Sequence, residues 1–590
     1  MPDESRVWRI GEWRVDPDLN ELSREGQTIR LEPRTMRLLV YLATHAGRVV
    51  DVQHLLDEIW PNVVVTQSSV YQAVLQLRRI LGDDTDHPSY IENVPRRGYR
   101  LIAPVASWET PPAATKQLPL SRVHHAPLAQ NVGSVPALEK SIAVLPFTNL
   151  SSDQENEYFG DGLAEEILNA LSHIPELHVA ARSSSFSFKN KAASVSEIAE
   201  RLRVATVLEG SVRRAADRLR ITVQLVDATT GFHLWSERYD RQLADIFEIQ
   251  DEIAAAIALR LKVTLGSLDT HPTAHVEAYE LYLRGRYEWH QRSPTTTRTA
   301  IKDFEQSLKL DPNNALAFAG LADCYAVLSN YGWMPTGDAR GKAHEAMQRA
   351  VTLAPKLWET SYSRGFHIFT FDRAWRDAQP YFEDAAAINP RAALVHTYFG
   401  MFLATAGQAE KAIAQAELGR QLDPLSPLIH SFTATSFAIL GRLEAAEAAA
   451  RQAIELQPDF LQVLPVLGGI LCRMGRSEEA VPYFERAVQL SRAPFYVGWL
   501  GAGLARSGRA DEARRLLAEL DERSSRGEFI WPLARLQIHT GLGDVAAMRT
   551  AFTAAIQLWT PPLVTRFAVD LQPFRTDPEI HRLYVELFGS

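Results

Sequence analysis

From about residue 275 to the end, prolines and glycines return at a nearly fixed interval. Pro312, Pro355, Pro390, Pro424 and Pro458 form one series; three of the five follow Asp or Asn, and the last three are 34 residues apart. Gly407, Gly441, Gly475, Gly508 and Gly543 form a second, at steps of 33 to 35. A helical chain with this period is a stack of helix pairs, because one pair cannot cover its own apolar face and each neighbour completes the burial. Proline ends each second helix, and the small residues are expected to let paired helices approach closely. More than half of the chain is thereby committed to an all-α solenoid, expected over 275–590.

A chain of 590 residues has room for about four domains of ~150 residues each. Hydrophobic content of 46% and charged content of 23% describe an ordinary globular protein. The net charge of −9 excludes a protein that coats nucleic acid with its whole surface, so any DNA contact rests on a local face. Two cysteines, Cys324 and Cys472, fall inside the repeats and are expected as small buried side chains rather than a disulfide. No run reaches ~18 apolar residues, and the opening Met-Pro-Asp-Glu-Ser-Arg lacks a signal-peptide core. A cytoplasmic protein without membrane contact is expected.

Residues 1–105 combine short strands with three amphipathic helices. Trp8, Ile10, Trp13 and Val15 lie in an extended stretch, Gly26 marks a turn, and Ile29 and Leu31 return. Pro33 opens a helix carrying Leu38, Leu39 and Leu42, closed by Gly47; a second carries Leu55, Leu56 and Ile59 and stops at Pro61. A third runs from about Gln67 to Leu81, with Val70, Val74, Leu77 and Leu81 at helical spacing and Gly82 as its C-cap. That leaves Gln67, Ser69, Tyr71, Gln72, Gln76 and Arg79 on or near the outer side. Glutamine can bond adenine edges in a bidentate way and Ser and Tyr can hold phosphates, although the same set would also make a plain solvated face. The following hairpin shifts the reading toward DNA. Arg96-Arg97-Gly98 puts two guanidinium groups at a turn, where they can enter a minor groove or clamp phosphates, with Tyr90, Ile91, Val94 and Tyr99 as packing residues.

This segment resembles the winged-helix output domain of OmpR/PhoB-type response regulators. The likeness rests on Leu31-Glu-Pro33, Gly47-Arg-Val-Val50, Leu55-Leu-Asp-Glu-Ile-Trp60, Leu77-Arg-Arg-Ile-Leu-Gly-Asp-Asp84 and Tyr90-Ile-Glu-Asn-Val-Pro-Arg-Arg-Gly-Tyr-Arg100. It implies that the third helix reads the major groove through Tyr71, Gln72, Leu75, Gln76 and Arg79, and that the wing takes the minor groove through Arg96 and Arg97. Two features depart from the family: the module starts the chain instead of following a phosphoacceptor domain, and Leu75 and Gln76 stand where many relatives carry basic or polar contact residues. Base preference therefore does not transfer. A winged helix ahead of other sensory parts is similar to the CadC/ToxR/HilA-like group. Some of that group cross a membrane after the DNA-binding domain; this linker does not, which is nearer the HilA-like arrangement.

Residues 106–139 read as a linker punctuated by Pro111, Pro112, Pro119, Pro127 and Pro136. His124-His125 is read as a solvated pair, since no further metal ligands follow at useful spacing. Over 140–266 the pattern becomes α/β. Ile142-Ala-Val-Leu-Pro-Phe147 is a strand of the kind buried on both faces. Helices are expected over 163–171 with Asp161 as N-cap, over 195–202 and over 246–261; strands are expected over 177–180, 204–212, 219–226 and 233–235. Gly160-Asp-Gly162 can seat an anion at a helix start or simply belong to a capped one. The segment resembles the TolB N-terminal-like domain, often fused to cyclases and winged helices, through Ile142-Ala-Val-Leu-Pro-Phe-Thr-Asn-Leu150, Tyr158-Phe-Gly-Asp-Gly-Leu-Ala-Glu-Glu-Ile167, Leu208-Glu-Gly-Ser-Val-Arg213 and Trp235-Ser-Glu-Arg-Tyr-Asp240. That resemblance implies assembly or interaction rather than chemistry. The repeats resemble tetratricopeptide repeats, with Gly400, Leu403, Gly407, Ala412 and Pro424, then Phe437, Gly441, Ala446, Ala453 and Pro458, then Gly468, Leu471, Gly475, Ala480, Phe484 and Ala487 at the family's offsets. A partner is expected on the concave face.

No nucleophile elbow, HExxH, paired CxxC or dinucleotide fingerprint occurs, so no catalysis, cofactor or metal is expected. The chain reads as a multidomain, bacterial-type, sequence-specific DNA-binding transcriptional regulator: a winged helix over 1–105, a Pro-rich linker over 106–139, a TolB N-terminal-like α/β domain over 140–266 and a tetratricopeptide solenoid over 275–590. Its expected partners are double-stranded promoter DNA, RNA polymerase, a protein, peptide or small-molecule signal at the repeats, and a second copy of itself. The rival reading is a repeat scaffold or adaptor with weak or vestigial DNA binding, supported by an N-terminal segment whose acids match its arginines.

Overall fold

The computed structural model describes residues 8–107, 138–263 and 275–589, apart from 18–19, 25–26, 32, 60–69, 71–72, 75–76, 79, 82, 84–87, 95–97, 152–155, 175, 192 and 216. The chain divides into two compact units, Met1–Gln130 and Asn131–Ser590.

The first unit contains β1 (Trp8–Ile10), β2 (Trp13–Asp16), β3 (Glu21–Arg24), β4 (Gln27–Arg30), the hairpin strands β5 (Ile91–Val94) and β6 (Gly98–Leu101), and β7 (Val105–Ser107). A five-stranded antiparallel sheet runs in the order β4-β3-β2-β1-β7. Alternate residues Trp13 and Val15 face inward and join a core with Leu38, Leu39 and Leu42 of the helix Pro33–Thr44 and Leu55, Leu56 and Ile59 of the helix Val52–Ile59. Val70, Val74, Leu77 and Leu81 are helical and buried in the same core, as their spacing requires.

The second unit begins with a mixed sheet. Its strands are β8 (Leu138–Val144), β9 (Thr148–Asn149), β10 (His178–Val179), β11 (Val204–Ala215), β12 (Arg218–Asp227) and β13 (His233–Gln242). They run β10-β8-β11-β12-β13, with β9 beside β11. β8 pairs in parallel with β10 and β11, and β11, β12 and β13 form an antiparallel meander. Ile142 and Val144 pack with the helices Glu157–Ser172 and Ile246–Arg260, while Ala143 packs on the other face with Ile198 and Ala199 of the helix Val195–Leu202. The strand is thus buried on both faces.

The structure corrects the reading of Gly160-Asp-Gly162. The helix starts at Glu157, so Asp161 lies inside it and is no N-cap; its carboxylate accepts from Lys189 Nζ at 2.9 and 2.8 Å. A Cβ at Gly160 would lie 2.7 Å from the Phe147 carbonyl oxygen, and one at Gly162 would lie 2.8 Å from the Leu283 side chain. The two glycines let the helix press against the sheet and against the first repeat helix, so the segment is neither an anion seat nor a helix start. Glycine inside a helix costs ~1 kcal/mol without such a partner, which is why the sequence alone suggests a boundary.

Among the described residues eight helix pairs follow. The first helices are Val276–His290, Ala315–Asn330, Trp358–Phe371, Ala393–Thr405, Pro427–Ile439, Val463–Arg473, Pro494–Arg506 and Pro532–Leu542. Their second helices are Pro294–Leu310, Thr336–Leu353, Gln379–Ile388, Ala409–Leu422, Leu443–Leu456, Ser477–Leu490, Ala510–Ser525 and Val545–Gln557. The five recurring prolines each fall just beyond a second helix. The recurring glycines act differently from expectation. Gly407, Gly441, Gly475, Gly508 and Gly543 have φ of +81°, +76°, +78°, +84° and +70°, and a Cβ on any of them would meet nothing within 4 Å. They supply the left-handed turn that ends each of the last five first helices, not close packing. Close approach belongs to other positions, such as Gly468, where a Cβ would lie 2.4 Å from the Phe484 ring.

The first helices form the more buried layer of the array. Every residue over 395–405 and over 429–438 is buried, whereas the second helices keep an exposed face. A helix apolar all round must be covered, and part of the cover is the chain's own end. The helix Pro562–Ala568 packs on the first helices Trp358–Phe371, Ala393–Thr405 and Pro427–Ile439. Trp559 Nε1 donates to Thr370 O at 3.0 Å, and Trp375 Nε1 donates to Leu587 O at 3.2 Å. The C-terminal segment thus already occupies part of the surface that these first helices present.

Candidate nucleic-acid interface

A buried polar lock joins the described helical residues 70, 73–74, 77–78 and 80–81 to the hairpin strands β5 and β6. Arg78 is 5% exposed; its Nη2 donates to Ile91 O at 2.6 Å, and its Nε lies 4.0 Å from Asp83 Oδ2. The Asp83 carboxylate accepts the N–H groups of Ser89 at 2.5 Å, Tyr90 at 2.9 Å and Ile91 at 2.8 Å. One carboxylate thus holds the residues that enter β5, while the guanidinium beside it holds the strand's first carbonyl. Trp13 Nε1 donates to Leu81 O at 3.3 Å and ties the sheet to the same helix end. The sequence reading missed Arg78. Its position, four residues after Val74 and three before Leu81, puts it on the inward face, and that spacing was the available signal.

The return strand of the hairpin is fixed just as closely. Val50 and Tyr99 exchange backbone hydrogen bonds of 2.8 and 3.0 Å. Gly98 has φ +122°, and a Cβ there would lie 2.0 Å from Val50 O. Only glycine allows the strand to start in this conformation and lie against Val50. Across the hairpin, Arg100 Nε donates to Glu92 Oε2 at 2.8 Å. A helix and a hairpin held in fixed relation are what one module needs to engage two neighbouring grooves.

The predicted contact residues Gln67, Ser69, Tyr71, Gln72, Leu75, Gln76, Arg79, Arg96 and Arg97 lie outside the described residues. So do Gly26, Pro61, Gly82 and the His124-His125 pair. Among the described residues, no cluster of His, Cys, Asp and Glu could hold a metal ion, and no helix is long and apolar enough to cross a membrane. Cys324 and Cys472 are free thiols, the first buried and the second partly so.

Residues 26–101 match the family described as transcriptional regulatory protein, C terminal. Residues 138–256 match the second domain of HilA/YgeH-like transcriptional regulators, and 434–460 and 466–494 match the tetratricopeptide repeat. The chain therefore carries an OmpR/PhoB-type winged-helix domain, a middle domain of the kind found in HilA-like regulators, and tetratricopeptide repeats. It is similar to the transcriptional regulator HilA of Salmonella typhimurium, with 26% identity over 403 residues, 66% of this chain and 66% of that protein. It is also similar to putative adenylate cyclase 3 of Rhizobium meliloti, with 46% identity over 187 residues, 31% of this chain and 32% of that one. Transcriptional activator CadC of Escherichia coli is 46% identical over 100 residues, 17% of this chain and 20% of CadC. The chain spans less than two thirds of the length of each of these relatives.

Proposed function

We propose that this chain is a transcriptional regulator whose winged helix binds promoter DNA and whose repeat array receives the signal. The observation that carries the reading is the winged-helix family match over 26–101, joined to the buried Arg78–Asp83 lock that fixes helix against hairpin. In this proposal Gln67, Ser69, Tyr71, Gln72, Gln76 and Arg79 meet the major groove, and Arg96 and Arg97 meet the minor groove or its phosphates. The domain limits are those expected from sequence: 1–105, 106–139, 140–266 and 275–590. The proposal also includes a cytoplasmic location, a TolB N-terminal-like ancestry for the middle domain, a contact with RNA polymerase and self-association. For self-association, β13 offers an edge strand with Phe232 and Leu234 exposed beside it.

No catalytic step is proposed. The segment shared with the putative adenylate cyclase is assigned to interaction, and an assay of cyclic AMP formation from ATP by the full chain tests that directly. The scaffold reading keeps one observation in its favour, the near-neutral charge of the first unit.

The discriminating experiment is a gel shift of the full chain on cognate and scrambled DNA. Arg97→Ala is expected to weaken binding to both and to lower the salt slope by about one unit. Gln76→Ala is expected to cost roughly 1–3 kcal/mol on the cognate site alone. Binding that ignores both substitutions removes the helix and the wing from the interface.

A further inference from the structure

The middle sheet domain and the repeat array close on each other around a charged joint. Glu165, on the helix Glu157–Ser172, is 4% exposed. Its carboxylate accepts from Arg182 Nε at 2.7 Å and from Arg286 Nη2 at 2.5 Å, with His290 Nε2 3.4 Å away. Burial pushes this carboxyl up, but the charges of Arg182 and Arg286 outweigh it and hold Glu165 well below the usual carboxylate range. Burial and the neighbouring Arg182 push His290 down to about 3, so its imidazole is neutral. Elsewhere on the joint, Ser184 Oγ donates to Asp423 Oδ1 at 2.6 Å and accepts from Leu425 N at 2.9 Å.

Between these contacts a cavity of about 220 Å³ remains. An apolar cavity of roughly 150 Å³ stays dry and admits benzene. This one is larger, and its wall carries charged groups whose hydrogen-bonding capacity the protein does not use. Arg292 is 4% exposed and stacks its guanidinium 3.8 Å over the Trp289 ring. Its Nε and Nη2 have no partner within the protein, and neither does Arg286 Nε. Nε and Nη2 form the side-on edge of a guanidinium, the fork that fits a carboxylate. Asp323 and Glu359 line the same cavity, and within the protein Asp323 Oδ1 and Glu359 Oε2 have no hydrogen-bond partner. Burial pushes both carboxyls up to about 7. Buried polar atoms left without a partner are costly, so a guanidinium edge and two carboxyl groups around one space favour a ligand that brings a complement to each and draws the carboxyls into their charged form.

We infer that this cavity binds a small amino-acid-like zwitterion, its carboxylate on the side-on edge of Arg292 and its ammonium on Asp323 and Glu359. A plain carboxylate leaves the two acids unmet, and a plain amine leaves Arg292 unmet. Trp289, Trp358 and Tyr362 give an aromatic wall for the body of the ligand. Arg292, in the turn of the first helix pair, and Asp323 and Glu359, on the second and third, come from the repeats, whereas Leu168, Ala181 and Ser183 line the same cavity from the middle domain, so an occupant touches both parts of the unit. The inference names the ligand class for the signal-receiving role proposed above, and its binding test does not depend on DNA.

The full chain is titrated calorimetrically, and melted, with the common L-amino acids at millimolar concentration. For the best binder, the acid lacking its amino group and the amine lacking its carboxyl group serve as controls. At least one amino acid is expected to bind saturably, with both analogues weaker by about tenfold or more. Arg292→Gln is expected to weaken the amino acid about tenfold or more and leave the amine unchanged. Asp323→Asn is expected to erase the preference over the desamino acid. Should Arg292→Gln disturb folding, Glu359→Gln, which keeps the side chain's shape, reads the ammonium contact instead. Absence of binding by every amino acid in both measurements overturns the inference. So does binding that all three variants leave unchanged, or analogues that bind as tightly as the parent. Amino-acid binding by a chain that fails to shift DNA would sink the regulator reading and leave this one standing; the reverse outcome would do the opposite.

Discussion

Arg78 with Asp83 in the first unit, and Arg286 with Glu165 in the second, are both buried arginine–carboxylate pairs, but their surroundings differ. Asp83 accepts three backbone N–H groups and Arg78 donates to a backbone carbonyl. Glu165 is met only by side chains, Arg182, Arg286 and His290, and nearby Arg292, Asp323 and Glu359 keep unpartnered atoms. A pair bound to backbone fixes one geometry. A cluster of side chains with spare donors and acceptors can reorganise around an added molecule. Under the proposed function, the first pair is a rigid frame for the helix and hairpin that would meet DNA, and the second is a joint that can respond.

The sharpest way to break that contrast is Arg78→Ala. It leaves Asp83, whose side chain is fully buried, without its countercharge, and should cost roughly 3–5 kcal/mol. Hydrogen exchange of the first unit's amides in the full chain under increasing urea measures it, and DNA binding should fall with the frame. A cost under ~1 kcal/mol would show that the backbone N–H groups alone hold Asp83.

The joint should show itself through pH. Burial and the charge of Glu165 push Glu166 up to about 8, and burial pushes Asp323 and Glu359 up to about 7. Their folded values exceed the unfolded ones, so the folded unit retains protons that the unfolded chain releases. Stability is then lost as pH rises toward 8. His290, held down to about 3, works in the opposite direction, but only up to its unfolded value of about 6.5. Between pH 6.5 and 8 the melting temperature of the second unit is therefore expected to fall, and Glu166→Gln to flatten the decline. A melting temperature that rises over this interval would contradict the burial of these acids.

The smallest effect separates the two kinds of glycine. Gly441→Ala places a side chain at φ +76° in open space and should cost about 1–2 kcal/mol from conformation alone. Equal unfolding midpoints for the variant and the parent chain would remove the left-handed turn as the reason for the 34-residue period.

These contrasts mark what the sequence could and could not convey. Val70, Val74, Leu77 and Leu81 were legible because burial follows helical spacing, and the prolines because a missing N–H ends a helix wherever it occurs. Ile142 to Val144 were legible as a strand buried on both faces because no polar residue interrupts them. Gly160 and Gly162 were misread because their reason is tertiary: the Phe147 carbonyl and the Leu283 side chain lie far off in sequence. The recurring glycines gave the correct period but the wrong cause, since a turn and a close contact leave the same letter. Arg78 was legible only as a position on the inward face, not as a lock. Glu165, Arg286, Arg292, Asp323 and Glu359 follow no spacing rule, because packing of the middle domain on the first repeats brings them together. The C-terminal segment lying on the first helices gave no local sign at all.

The central claim is that this chain acts by reading DNA. The most direct measurement is genome-wide footprinting of the full chain in cells, beside Arg97→Ala and a chain lacking residues 1–105. Discrete bound promoters that share a sequence are expected, with occupancy reduced by Arg97→Ala and abolished by the deletion. Promoter occupancy that survives deletion of residues 1–105, or no discrete sites for the intact chain, would contradict it.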